Sequence, residues 1–321
     1  MDLGYLPVRL STLKPSIQLG FNLYLQLPHK TIKYIASVDD IEIIQIENLK
    51  LKKVRKLFID DTEENEYQEY IDRCLNTTMS DDSLSTDKKA EVVVGASEAS
   101  AERIMTDPHS QKSYDSAQNT AGQLINVLSQ NDEILKGIFD HKLDEESDNQ
   151  EARMHKHAVN VSSLCISFGE FLKLPKETIE QLGVAGLFHD VAFGQLEQNV
   201  KDLFFKPIES TSSEELIAYK EHPKLGGEIL QDKEFASKEV INFILTHEER
   251  QGGNGFPNKI SKLDLAQEAL ALSCFYDQQV TCFNLDRKEV LKELAISQLG
   301  NFELTTINKF KEFIIKVGLK S

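Results

Sequence analysis

The chain has 321 residues, 40% of them hydrophobic, which is enough for two domains with a core each and excludes a disordered protein. Its formal net charge of −16 repels polyanions, which argues against nucleic acid polymers and anionic membranes as partners but leaves room for a small phosphorylated ligand at a metal site. The 4 cysteines form no CxxC pair, the start has no leader-like pattern, and no window reaches the ~18 apolar residues of a membrane span, so a cytoplasmic protein with reduced thiols is expected.

In chain order, residues 21–27 and 31–36 predict two strands joined by a turn at Pro28-His29-Lys30. A helix over 40–52 and a short strand at Lys56-Leu57-Phe58-Ile59 complete a small α/β domain spanning 1–76. Arg9, Arg55 and Arg73 are isolated and no phosphoacceptor pattern is present, so a regulatory or dimerising module that meets a protein partner is expected there. Residues 77–90 are rich in Ser, Asp, Thr and Lys, which is linker composition. Beyond them helical period predicts helices over 91–105, 116–140, 152–172, 176–189, 213–221, 223–231, 237–250 and 263–282, with a terminal stretch to 317. The expected class is α+β, with an all-helical domain over 91–321.

Imidazoles and carboxylates cluster in that second domain between His157 and Asp277. His157 heads an apolar stripe with Val161, Leu164 and Phe168; His189 shares a face with Ile179 and Leu182; His247 completes one with Val240, Phe243 and Ile244. His222 precedes Pro223 and so sits at a helix start. Any one of these histidines is most simply a core residue with a backbone partner. Taken together with Asp190 beside His189, they point to a buried two-metal site, since an unpaired buried carboxylate costs several kcal/mol. This donor set suits divalent transition metals, with iron or manganese favoured and zinc as the alternative.

The order His157, His189-Asp190, then a late acidic residue resembles the HD phosphohydrolases. The added His222-Pro223-Lys224-Leu225-Gly226 and the Gly252–Pro257 loop are similar to the HD-GYP subfamily. The resemblance implies a cyclic di-GMP phosphodiesterase in a signalling protein, with a binuclear centre bridged by Asp190. His157 and His189 would hold one ion together with Cys274 or Asp277, and His222, His247 and Glu248 would hold the other. Asp190 and His189 would be central to catalysis, and Gly253, Asn254 and Phe256 would contact a cyclic dinucleotide or related phosphoester. Glu249 is expected to orient His247, or else to be a solvated charge.

Several positions depart from that pattern. Phe193 stands where the subfamily has a lysine, Glu248 where it has a second histidine, Phe256 where it has the tyrosine, and Cys274 where it has the late Asp. Arg153 occupies the position at which three-metal members carry a Glu, which disfavours a third ion. Two readings therefore stand side by side. One is a divergent metal-dependent phosphodiesterase of weak activity, in which restoring lysine at 193 raises the rate. The other is a degenerate module that keeps its metals for structure, ligand sensing or partner binding.

Overall fold

The computed structural model describes residues 4–319 except 16, 28, 132, 143–147 and 208–212. Four strands, β1 (Tyr5–Arg9), β2 (Leu23–Leu27), β3 (Lys30–Ile35) and β4 (Lys56–Asp60), form an antiparallel sheet in the order β1-β4-β2-β3. Helix α1 (Ile43–Leu51) connects β3 to β4. Three of these strands follow from the residue pattern, although Pro28 of the expected turn lies outside the described residues. β1 was hidden by Pro7. A proline cannot donate to the ladder, and it is tolerated here because β1 is an edge strand.

The expected linker over 77–90 is corrected by two long helices. α2 (Glu64–Ser80) buries Tyr67, Tyr70, Ile71, Cys74, Leu75 and Thr78, a helical stripe that runs into the supposed linker. α3 (Thr86–Thr106) starts after only a short turn, with Ser85 accepting from the Lys88 amide and Asp81 accepting from Ser83. The polar residues that read as a linker are capping residues, because Ser and Asp side chains satisfy backbone amides at turns and helix starts.

α3 joins the sheet to the helices. Its small residues allow close approach on several sides: a Cβ on Gly95 would lie 2.1 Å from the Ser11 hydroxyl. The other helices are α4 (Gln111–Gln130), α5 (Glu133–Asp140), α6 (Gln150–Phe171), α7 (Lys176–Phe188), α8 (Gln198–Lys201), α9 (Ser213–Lys220), α10 (His222–Leu230), α11 (Lys238–Thr246), α12 (Leu265–Asp277), α13 (Arg287–Ser297) and α14 (Leu304–Lys316). The single helix expected over 116–140 breaks at Asn131, whose side chain caps α5 through the Glu133 amide. One apolar core runs from Val8 in the sheet to Leu319 after α14. The class is α+β, a small antiparallel sheet followed by a largely helical domain. Among the described residues no helix is long and apolar enough to cross a membrane.

A polar network crosses the junction between sheet and helices. Arg9 of β1 donates to Glu102 of α3 at 2.9 Å, Lys56 of β4 pairs with the same carboxylate, and Arg103 pairs with Glu64 of α2. His155 on α6 faces Glu102, Arg9 and Lys56, and burial pushes its imidazole down to about 4, with Glu102 opposing and the two cations reinforcing. A histidine held neutral in the fold contributes stability that is complete above its unfolded value near 6.5 and is lost as pH falls through about 4. Denaturant unfolding at pH 7 and pH 4.5 should therefore show a loss that His155→Gln reduces by about 2 kcal/mol. Identical pH profiles for the two proteins would count against this burial.

Candidate metal centre

Five helices bring the site together. His157 comes from the middle of α6, His189 caps the end of α7, His222 opens α10, His247 caps α11, and Cys274 lies on α12. Each of the three terminal histidines turns its Nδ1 to a carbonyl three residues earlier: His189 to Gly186 (2.8 Å), His222 to Tyr219 (2.7 Å) and His247 to Ile244 (2.7 Å). A carbonyl can only accept, so each Nδ1 carries a proton, and in the neutral imidazole Nε2 presents a bare lone pair. His157 Nδ1 likewise donates to the Asp277 carboxylate at 2.7 Å.

All four Nε2 atoms point inward around Asp190. Its Oδ2 lies 3.2 Å from His189 and 3.6 Å from His157, and its Oδ1 lies 3.2 Å from His222 and 3.4 Å from His247. Each carboxylate oxygen thus faces one histidine pair. Within the pairs, Nε2 atoms stand 3.1 Å (His157–His189) and 3.0 Å (His222–His247) apart. Two bare lone pairs at that distance repel, and a cation held between them removes the repulsion, so the residues fit a metal pair. Burial alone would raise the Asp190 carboxyl. Without a bound cation, charge on His189 and Nε2 protons donated by His189, His222 and His247 outweigh that and hold it well below the ordinary carboxylate range, the part that metal ions would otherwise play.

Cys274 sits within this group. Its Sγ is 3.9 Å from His157 Nε2, and donor atoms of His157, His189 and Cys274, and of His247, Glu248 and Cys274, lie within 4.8 Å of one another. Burial, followed by the charges of Glu248 and Asp190, pushes the thiol well above its usual range, so it is protonated unless a cation binds. Asp277 is a correction. It faces the back of His157, and its second oxygen accepts from Asn160 and Thr281, both at 2.9 Å, so it is placed to orient that imidazole and is turned away from the centre.

Glu248 faces the centre while Arg250 donates to its Oε2 at 2.7 Å. Glu249, expected to orient His247 or to be solvated, does neither. It is fully buried and accepts from the amides of Asn258 (2.6 Å) and Ile260 (2.9 Å), pinning the loop that carries Gly253, Asn254 and Phe256. Gly255 lies so close to that stretch that a Cβ would meet the Arg250 amide at 2.4 Å. Arg153 pairs with Asp148 at 2.5 and 2.8 Å. Phe193 is buried with Met154, Val200, Leu203 and Phe204.

The residue pattern missed the aromatic cover. Phe204 and Tyr219 each place a ring 5.0 Å from that of His222, and Phe256 lies 6.0 Å from it; all four candidate imidazoles are almost completely removed from solvent. Only the position of Tyr219, three residues before His222, hinted at this.

A helical domain that gathers histidines from separate helices around one aspartate is a histidine–aspartate metal-binding domain. The HD domain family model matches residues 143–278, which include every candidate ligand. Cyclic di-GMP phosphodiesterase PA4108 of Pseudomonas aeruginosa is 30% identical over 118 residues, 37% of this chain. The chain spans only 26% of that relative's length. The solved structure of Bd1817, a HDG"Y"P protein from Bdellovibrio bacteriovorus, superposes with a TM-score of 0.72 at 27% identity, covering 97% of this chain and 99% of that one. Residues 143–278 thus match an HD domain, and the chain as a whole is similar to an HD-GYP-type protein.

Proposed function

We propose that the chain is a divergent metal-dependent phosphodiesterase whose substrate is cyclic di-GMP or a related phosphoester. The observation that carries this reading is Asp190, one oxygen facing each histidine pair. His157, His189 and Cys274 would hold one divalent ion and His222, His247 and Glu248 the other, with Asp190 shared. One thiol among imidazoles and carboxylates is a borderline set, consistent with iron or manganese, with zinc as the alternative. Bound ions would lower the pKa of a water and neutralise the attacked phosphate. The protein's own part is to orient the imidazoles through backbone carbonyls and Asp277, to keep Asp190 ionised, and to exclude bulk water with Phe204 and Tyr219.

Phe193 puts no lysine near the phosphate. By the measure of other electrostatic donors, that absence costs roughly 10²–10³ in rate. Chromatography of cyclic di-GMP incubated with iron-, manganese- or zinc-loaded protein should show slow, metal-dependent hydrolysis that chelation abolishes. The second reading, a non-hydrolytic module, is favoured by the aromatic cover over the centre. Tight metal binding without turnover for any of the three metals would select it.

A further inference from the structure

Beside Phe256 is an open groove of about 440 Å³. Its walls are Ile217 and Lys220 from α9, Glu221 just after it, and Asn254, Phe256 and Lys259 from the pinned loop. The Phe256 ring packs against the end of α9: Tyr219 lies 5.8 Å from it, and Lys220 Nζ lies 5.9 Å from its centroid. Ile217 is 64% exposed, a large aliphatic side chain open to the groove. Glu221 is paired with Lys224 at 3.6 Å, whereas Lys220 and Lys259 have no ion-pair partner among the described residues. In a chain of net charge −16, two ammonium groups without an ion-pair partner among the described residues, flanking an aromatic and aliphatic floor, mark a place where an anion bearing a flat ring is preferred over bulk counterions.

We infer that this groove binds a nucleotide end of the substrate, with the base against Phe256 and Ile217, the phosphate between Lys220 and Lys259, and the Asn254 amide at the base edge. The inference rests on the phosphodiesterase reading and adds to it the residues that set nucleotide affinity. Charge at the mouth then comes from α9 and the loop, since position 193 provides none. The site needs no metal ligand, so mononucleotide binding should outlast metal removal.

Calorimetric titration of the full chain with GMP, guanosine and inorganic phosphate, before and after chelation, tests this. GMP should bind both forms. Lys220→Ala and Lys259→Ala should each weaken it about threefold to tenfold and flatten its salt dependence, leaving guanosine unaffected. Phe256→Leu should weaken GMP and guanosine alike. Unchanged GMP binding in both lysine variants overturns the inference, as does GMP binding that vanishes on chelation while the helical circular dichroism signal persists. Hydrolysis of bis(p-nitrophenyl) phosphate separates this from the parent reading. Turnover with lysine-independent GMP binding removes the groove and keeps the enzyme. Lysine-dependent GMP binding without any phosphodiester cleavage keeps the groove and removes the enzyme.

Discussion

Asp190→Asn should empty the centre. The side chain keeps its size, but an amide replaces the charge that faces all four imidazoles. Elemental analysis of wild type should find about two transition-metal ions per chain, as a paired site requires, and the variant should retain well under one. Because the free energy of binding metal is in part free energy of folding, stability falls with it. Disrupting a buried charged cluster of this kind costs about 3–5 kcal/mol, which lowers the melting temperature by roughly 10 °C. Asp277→Asn is the control. It removes only the negative charge and one accepting oxygen behind His157, so metal affinity should fall about 10–100-fold while ions still load at saturation. A variant at 190 that holds its metals like wild type, or a deeper loss at 277 than at 190, would show that the two carboxylates have been assigned the wrong way round. Adding chelator should narrow the stability gap between wild type and Asp190→Asn, since both then lack ions.

The residue pattern identified the four histidines and Asp190 because local geometry dictates their placement. His157 rides a helix stripe, while His189, His222 and His247 sit at helix ends where Nδ1 reaches a carbonyl three residues back. Cys274 and Asp277 could not be separated that way, as they lie about one helical turn apart on the same side of α12. What distinguishes them is the course of α6, which sets His157 so that Cys274 meets its Nε2 and Asp277 its Nδ1. Glu249 was misread for a similar reason: its neighbour in sequence is a candidate ligand, but its partners are loop amides that only the folded turn delivers. The polar run before α3 was misjudged because capping and linker composition draw on the same residues. The N-terminal sheet left no functional signature in the residue pattern, and the structure adds only its polar link to α6 through Glu102 and His155.

Phe193→Lys should cripple folding and fail to restore activity. From the residue pattern alone, a lysine at this position would supply the missing contact to phosphate. In the structure Phe193 is 2% exposed, its ring is 5.3 Å from Phe204 and 6.1 Å from Phe205, and the Lys201 ammonium already lies 5.3 Å from its centroid. Truncating a buried phenylalanine costs about 3–5 kcal/mol. An ammonium in its place adds desolvation and repulsion from Lys201, so denaturant unfolding should register at least that loss. Phe256→Tyr is different. Its ring is only partly buried and borders the open groove, so a hydroxyl can be accommodated within about 1 kcal/mol. If a phenol at the loop strengthens phosphate contact, turnover should rise in this variant with metal content unchanged. A Phe193→Lys protein as stable as wild type and faster on cyclic di-GMP would instead mean that the apolar cluster opens readily, and that position 193 still reaches the substrate. On the present packing the cluster of Met154, Phe193, Leu203 and Phe204 has become part of the cover over the metal ligands, so the lost lysine cannot be put back without first rebuilding what replaced it.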